Sequence, residues 1–399
     1  YLGGDATGSL NIGGNLGKTN FDYEASIDHA VFDKIYLGDL KSKGNYNGSF
    51  LSVEYAESND NLDKISSMGD VPFDLNLNSD KFGQFFENKN INYTLSAKLT
   101  SMSFLSTYIT ELDSISGTIS IDLSLSGPSS AILRNGEITL SNSSVYTMLI
   151  NNPIISVNGK GVLENNKLNI ENFKGSSINA RDNNFKKIGN NISVKGSIDF
   201  SKFFEPNYDL IVNSINNKYI YLDAIPIDIT GIIDSMDVKV FGKDTVNITG
   251  LVEVDEATLF HEFISEDIGE TLISSDGVVM SYSLNVPIKD EGKFQNSQVD
   301  AIMTGEISLA KTGNEYWNIG GEVYIDDGSI LSFKDNFTGL NGYVTFDNNG
   351  INPDMDLMAS TTIADEEIRL RIKGDLNNAD LVLESSSGFS ESDIIELLT

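Results

Sequence analysis

The sequence contains no cysteine and only two histidines among its 399 residues. The absence of cysteine excludes disulfides, thiolate catalysis and cysteine-based zinc sites. His29 and His261 lie in different regions of the sequence, so a histidine cluster that could hold a transition metal is not indicated. No Gly-x-Ser-x-Gly turn is present between a strand and a helix to position a nucleophilic serine. We therefore expect no catalytic residue and no cofactor.

Proline and positive charge are scarce as well. The chain has seven prolines and no proline-rich or Gly/Ser-rich tract, so no linker is indicated. Lys and Arg number 27 against 58 Asp and Glu, which gives a formal charge of −31. Such a charge repels the phosphates of nucleic acids, so nucleic acid is not an expected partner.

Long apolar runs are also missing. No stretch reaches the roughly 18 apolar residues of a membrane-spanning helix. The chain begins at Tyr1 without a recognisable signal peptide. We expect an internal fragment of a longer protein, with any membrane anchor outside it.

A glycine followed by alternating apolar residues is the most frequent pattern that is present. Examples are Gly117-Thr-Ile-Ser-Ile121, Gly136-Glu-Ile-Thr-Leu140 and Gly305-Glu-Ile-Ser-Leu309. Glycine permits the positive φ of a turn, and a period of two is typical of a half-buried strand. The sequence therefore predicts an all-β protein built as an antiparallel meander.

The predicted strands have one apolar face and one polar face. In 118–125 the isoleucines and leucines share one side, and in 368–373 apolar residues alternate with Arg and Lys. The apolar side has to be covered. Two sheets must face each other, or one sheet must curl onto itself. Periodicity does not distinguish a closed core from an open groove.

Few helices are predicted. Short ones are expected at 82–87 and 258–268, and a capping box from Ser390 to Asp393 predicts a helix at the C-terminus. The acidic turns at Asp326-Asp327-Gly328 and Asp347-Asn348-Asn349-Gly350 resemble calcium loops. Neither continues to the bidentate Glu of an EF-hand, so hairpin turns are the favoured interpretation and no metal site is expected.

The last part of the chain resembles the C-terminal domain of TamB, the inner-membrane member of the translocation and assembly module. Successive motifs carry the resemblance: GGEVYIDDGSILSF at 320–333, FTGLNGYVTF at 337–346, INPDMDLMA at 351–359, IRLRIKGDL at 368–376, LVLES at 381–385 and FSESDIIELL at 389–398. Upstream of about residue 300 the resemblance is limited to the glycine-led strand repeat, which TamB shares with AsmA-like proteins. We accordingly divide the chain into a repeat region at 1–300 and a TamB-like C-terminal domain at 301–399.

The resemblance implies a long curled sheet, open along one seam, with an apolar concave face. It also implies an inner-membrane anchor outside this fragment, a periplasmic location in a diderm bacterium, and an outer-membrane barrel partner resembling TamA at the C-terminal end. The first hypothesis is a groove that carries phospholipid between the two membranes. The alternatives are a scaffold for insertion of outer-membrane or autotransported proteins and a secreted β-solenoid adhesin.

The alternation assigns residues to the predicted lipid groove: Phe73, Leu75, Leu77, Leu95, Leu99, Ile119, Ile121, Leu123, Leu125, Val252, Val254, Ile307, Leu309, Val323, Ile325, Val344, Phe346, Ile368, Leu370 and Ile372. The predicted partner-binding residues at the C-terminus are Phe389, Ile394, Ile395 and Leu398. In an open groove, Ile121→Asp, Leu123→Lys or Leu370→Glu should abolish lipid binding and leave the fold intact. In a closed sandwich the same changes should unfold the chain.

Overall fold

The computed structural model describes residues 2–32, 35–60, 63–103, 112–147, 150–178, 189–202, 205–215, 219–224, 229–260, 279–375 and 378–398. Over these residues the chain forms 22 strands in one mixed sheet and one helix, α1. The predicted all-β class is confirmed. The chain divides into an N-terminal unit (1–147, 154–175 and 194–207) and a C-terminal unit (148–153, 176–193 and 208–399).

The first half of the chain is the predicted meander. Its strands are β1 Leu2–Asn15, β2 Lys18–Phe32, β3 Ile35–Tyr46, β4 Leu51–Asp60, β5 Asp63–Val71, β6 Asn90–Ser101, β7 Leu112–Pro128, β8 Leu133–Thr147, β9 Ile154–Glu164, β10 Lys167–Ser177 and β11 Ile192–Asp199. From β1 to β9 each strand pairs antiparallel with the next. Asn165 and Asn166 join β9 to β10 with φ of 49° and 73°, the left-handed pair that a tight hairpin requires.

The second half ends in the only helix of the described residues. Its elements are β12 Asn207–Ser214, β13 Ile220–Ala224, β14 Ile229–Gly242, β15 Thr245–Phe260, β16 Val279–Gln295, β17 Val299–Thr312, β18 Asn318–Ser332, β19 Asp335–Asp347, β20 Asp354–Ile363, β21 Glu366–Asp375, β22 Asp380–Ser385 and α1 Glu391–Leu398. Strands β12 and β13 both pair with β14, and from β16 to β22 successive strands are antiparallel.

One strand pair departs from the predicted antiparallel order. Strands β15 and β16 are parallel, with Thr245 opposite Val279 and Phe260 opposite Gln295. Parallel neighbours require a crossover between them, because the chain must return to the starting end of the first strand. Alternation of apolar residues reports the face of a strand and carries no information on its direction, so the sequence pattern missed this pair.

The outer edge of β13 is completed by asparagine side chains. Asn191, which is fully buried, donates through Nδ2 to the carbonyl of Tyr219 at 2.8 Å. Asn152 donates through Nδ2 to the carbonyl of Tyr221 at 3.2 Å and accepts from the backbone N–H of Asp223 at 3.0 Å. A carboxamide has the donor and acceptor of a peptide group, so these side chains supply the bonds that a strand would make.

Only one of the three predicted helices is confirmed. Residues 82–87 form turns, because backbone bonds run from the Phe82 N–H to Ser79 and from the Gln84 N–H to Lys81, and Gly83 has a φ of 80°. Of the predicted helix at 258–268, the first three residues belong to β15 and the rest lies outside the described residues. The C-terminal helix is present.

The largest buried core lies at the C-terminal end of the sheet. It joins β17 to β22 and α1 through Val299, Ala301, Val323, Ile325, Phe337, Leu340, Leu357, Ala359, Ile368, Leu370, Ile372, Leu383, Ile394 and Leu398. An eight-residue helix is about 12 Å long, whereas six strands are roughly 24 Å or more across. Since the helix is too short to cover that width, this part of the sheet must curve over its own apolar face.

Candidate functional site

The registers of β5 to β8 align apolar residues in rows across one face of the N-terminal unit. Leu95 lies opposite Leu123, Ala97 opposite Ile121, and Leu99 opposite Ile119. The same rows continue into β8, where Ile121 is opposite Ile138 and Ile119 is opposite Leu140, and the residues that alternate with them are mainly Ser, Thr and Asp. We call this surface the N-terminal apolar face. The apolar sides of these strands, which the sequence predicts, therefore lie on the same face of the sheet.

This face is only partly covered. Leu99 and Ile119 are buried with Ala97, Leu140 and Val157 in a five-residue cluster. Leu123 and Leu125 remain half-buried, while Leu10 and Ile12 of β1 are 59% and 58% exposed. The N-terminal apolar face is thus a surface with a small closed patch at one side, and most of it keeps contact with solvent.

The polar side of the same strands carries a shallow depression of about 340 Å³. Its lining is Ser66, Ser67, Met68, Thr94, Leu95, Ser96, Asp122, Leu123, Ser124, Asn135 and Gly136. Most of these residues alternate with the apolar rows, so the depression opens on the polar face. Its lining combines hydroxyl, amide and carboxylate groups with Met68, Leu95 and Leu123.

The predicted strand through Phe73, Leu75 and Leu77 is wrong. Residues 72–89, which we call the capping segment, form turns between β5 and β6, and Phe73 makes a single bridge with Phe85. The alternation is inverted there: Asp74 and Asn76 are buried, whereas Leu77 is 57% exposed. Side-chain hydrogen bonds of Asp and Asn residues compete with the backbone bonds of a strand, and here they replace them.

Asp74 organises the capping segment. Its carboxylate accepts from the Ser79 hydroxyl at 2.6 Å and from the Asn76 Nδ2 at 2.9 Å, and these bonds hold the pKa of Asp74 below its usual range. Asn76 in turn accepts from the Thr19 N–H at 3.0 Å. The Tyr46 hydroxyl accepts from the Leu75 N–H at 2.9 Å. The capping segment is thereby fixed over the end of strands β2 and β3.

In the C-terminal unit the predicted groove residues fall into two groups. Those that are buried are Val254, Val323, Ile325, Ile368, Leu370 and Ile372. Those that are half-buried are Val252, Ile307, Leu309, Val344 and Phe346. Ile368 and Leu370 are inaccessible to solvent in the C-terminal core, so Leu370→Glu should unfold this core. The burial of Leu370 favours the closed-core outcome at this position, and lipid binding by the groove residues stays a prediction.

Two of the four predicted partner-binding residues are buried and two are exposed. Ile394 and Leu398 are buried in the C-terminal core, and Phe389 and Ile395 are 47% and 36% exposed. Their contact with a partner stays a prediction. In this structure only Phe389 and Ile395 present their side chains at the surface.

A buried carboxylate that the sequence reading missed fixes the turn before α1. Glu366 accepts from the hydroxyls of Ser386 at 2.9 Å and Ser387 at 2.7 Å, and from the Ser387 N–H at 2.6 Å. The bonds from Ser387 are the main reason that the pKa of Glu366 is lowered. The three consecutive serines at 385–387 are the only local sign of this contact, and serine-rich turns are too common to predict it.

Other buried residues were missed because they break the alternation. Tyr46 is 1% exposed and stacks on Phe21 with ring centroids 5.3 Å apart. Phe337 and Leu340 are fully buried, although they lie three positions apart and fit no period of two. A register shift between Thr338 and Asn341 in the pairing of β19 with β20 accounts for the change.

Five carboxylates of the described chain have lowered pKa values. The carboxylates with lowered pKa values are bound by serine hydroxyls or by a cation, as Asp199 is by Ser201 and Asp356 by Arg371. Arg371 donates to Asp356 through both Nε and Nη2, at 2.9 and 2.7 Å. In the part of the chain that the structure describes, no three His, Asp or Glu residues are grouped as metal ligands.

The fold and the site together define an all-β protein built on one mixed sheet, with apolar residues aligned across strands β6 to β8. A family model of the TamB C-terminal domain matches residues 179–399, and the chain belongs to this family. The match begins well upstream of the C-terminal motifs. The chain is thus a component of a translocation and assembly module, associated with the cell envelope and acting in envelope protein or lipid assembly with an outer-membrane partner.

A search of curated proteins finds no match to the chain. Among the described residues, no helix is long and apolar enough to span a membrane.

Proposed function

We propose that the N-terminal apolar face holds the acyl chains of phospholipids and carries them between the inner and outer membranes. One observation supports this most: Leu95 of β6 lies opposite Leu123 of β7, and these two residues, like Ile121 and Leu125, are only partly buried. Removal of an acyl chain from water contributes about 0.8 kcal/mol per CH₂, so several aligned side chains are enough to retain a lipid.

The polar side of the sheet supports the same function. The net charge of −31 repels anionic head groups, which favours a head group that stays at the rim while the acyl chains enter. Binding requires no chemical step, and we propose that the protein acts without catalysis. In this proposal the chain lies in the periplasm and is anchored in the inner membrane by a segment outside it.

Lipid extraction with a matched pair of variants tests the proposal. The chain is purified from a diderm host, and its lipids are extracted and quantified by mass spectrometry beside a soluble protein of similar charge. Leu123→Lys places an ammonium group on the N-terminal apolar face, and Thr94→Lys places the same charge on the polar face of the adjacent strand. We expect stoichiometric phospholipid with the wild type and Thr94→Lys, and little with Leu123→Lys.

Two outcomes would contradict the proposal. One is a wild-type chain that carries no more lipid than the acidic control protein. The other is a folded Leu123→Lys variant that retains as much lipid as the wild type. Circular dichroism of both variants establishes whether the β-structure is intact.

The exposed C-terminal residues favour a second role, docking on a barrel partner resembling TamA. Val382 on β22 is 45% exposed, and Phe389, which precedes α1, is 47% exposed. Edge strands with apolar side chains accept a further strand in many complexes. A pull-down with the purified barrel tests this: Phe389→Ser should weaken binding, and Tyr316→Ser, another exposed aromatic residue, should not. Equal binding by both variants would refute the contact.

A further inference from the structure

Helix α1 lies on the apolar side of the C-terminal unit. Ile394 and Leu398 are 0% and 2% exposed, and they belong to the same buried core as Leu370 of β21 and Leu383 of β22. Leu370 and Leu383 are opposite each other in the register of these strands, so their side chains share one face. The helix therefore covers part of the apolar side of the C-terminal unit.

The attachment of α1 is small. The spacing of Ile394 and Leu398 places them on one side of the helix, whereas the other described positions from 391 to 397 are exposed. Apart from these two side chains, the turn before the helix is held by the Glu366 carboxylate and by the Phe389 N–H, which donates to the Ser385 hydroxyl at 2.7 Å.

The helix is also too short to persist without its contact surface. It has eight residues, and isolated helices of fewer than about 12 residues are marginal in water. Its N-terminal capping box, with Ser390 and Asp393 bonded at 2.6 Å, supports only the first turn. Docking on the sheet and helix formation are therefore coupled, and a competitor for the apolar surface would release the whole element.

We infer that α1 is a displaceable closure of the C-terminal core, and that an acyl chain that reaches this core replaces Ile394 and Leu398. This inference rests on the proposed function and adds its regulation. In the absence of lipid the helix keeps the C-terminal core dry. With lipid present, α1 leaves the sheet and takes Phe389 and Ile395 with it, which couples lipid arrival to a change in the surface at the C-terminus.

Thiol labelling tests the closure, because the chain has no cysteine and any introduced thiol is the sole one. Leu398→Cys places the thiol under α1, and Ala359→Cys places it in the same core on β20. The rate of maleimide labelling is measured with and without dispersed short-chain phosphatidylcholine. We expect the lipid to raise the rate at Leu398→Cys by about tenfold and to leave Ala359→Cys protected, since only α1 opens.

The outcomes separate the closure from the proposed function. Lipid found on the chain by mass spectrometry with an unchanged rate at Leu398→Cys would overturn the closure and leave the proposed function standing. Equal acceleration at Ala359→Cys would also overturn it, because the core as a whole would then be opening. No bound lipid on the wild type would refute both.

A second probe covers the case in which Leu398→Cys does not fold. Ile395→Cys lies on the exposed side of α1 and carries a spin label without disturbing the core. Phosphatidylcholine should increase the mobility of this label if the helix leaves the sheet. A spectrum that is unchanged when lipid is bound would overturn the closure.

Discussion

The N-terminal apolar face and the C-terminal core are built from the same alternating strands but differ in what covers them. Leu123 on β7 is half-buried, whereas Leu370 on β21 is 1% exposed, although both sit between polar neighbours in sequence. In the C-terminal unit the sheet curves over its own apolar side and α1 adds Ile394 and Leu398. Alternation identifies the apolar side of a strand; the covering of that side depends on residues far away in sequence.

The largest effect on stability is expected from substitution of Leu370, and substitution of Leu123 provides the comparison. Leu370→Ala should cost about 2–5 kcal/mol of unfolding free energy through the cavity it leaves. Leu370→Glu should cost more, since it buries an unpaired charge. Leu123→Lys should cost much less, because the ammonium group can extend to water. Denaturant unfolding followed by circular dichroism measures all three. Equal destabilisation by Leu123→Lys and Leu370→Glu would show that the N-terminal face is also a closed core.

A smaller effect is expected at the capping segment. Asp74→Ala removes the buried carboxylate that accepts from the Ser79 hydroxyl and from the Asn76 Nδ2. The loss of these two hydrogen bonds should lower the free energy of unfolding by about 1–3 kcal/mol. The loss should be confined to the N-terminal unit. Hydrogen exchange should show faster exchange at the Leu75 and Leu77 amides, and the amides of β20 and β21 should be unaffected. Faster exchange in both units would contradict this separation.

A stabilising change is expected in the C-terminal unit. Ala364 and Asp365 join β20 to β21 with φ of 49° and 67°, a conformation that costs most residues roughly 1–2 kcal/mol. Asp365→Gly should therefore stabilise this hairpin by up to about 1 kcal/mol. Thermal unfolding measures the change, and Asp380→Gly, at the start of β22, serves as the control. A lower melting temperature for Asp365→Gly would mean that the Asp side chain makes a contact that matters more than the turn.

The effect that is smallest at neutral pH concerns Glu366. Its pKa is lower in the folded chain than the ordinary value of 4.5, because Ser387 and Ser386 donate to the carboxylate. This stabilisation is therefore present above the ordinary pKa and is lost as the pH falls through the folded-state value. Glu366→Gln should make the mobility of a spin label at Ile395→Cys less dependent on pH over that range. An unchanged pH profile would show that Glu366 does not hold α1 on the sheet.

Much of the sheet could be predicted from the sequence, since a period of two needs only local information. The strand faces around Ile121 and Ile372 were predicted for this reason, and the capping box at Ser390 placed α1. The inverted segment at Asp74 was not, because its fold depends on Thr19 and Tyr46, which lie more than 25 residues away.

The candidate site was predictable only as a set of apolar residues. Nothing in the local pattern separates Leu123 from Leu370, and the residues that complete the C-terminal core, Phe337 and Leu340, lie where a register shift interrupts the alternation. The parallel pairing of β15 with β16 was equally hidden, because strand direction is set by the intervening chain.

The meander from β1 to β9 also determines an order of folding. Each of these strands pairs with the one that follows it, so every new strand closes only a short loop onto an edge that already exists. The first strands can therefore pair while later residues are still being synthesised or exported. Pairing of β16 onto β15 is different, because it must wait for the whole connection through 261–278. We expect this step to be slower than the formation of the hairpins from β1 to β9, and the C-terminal core to form after it.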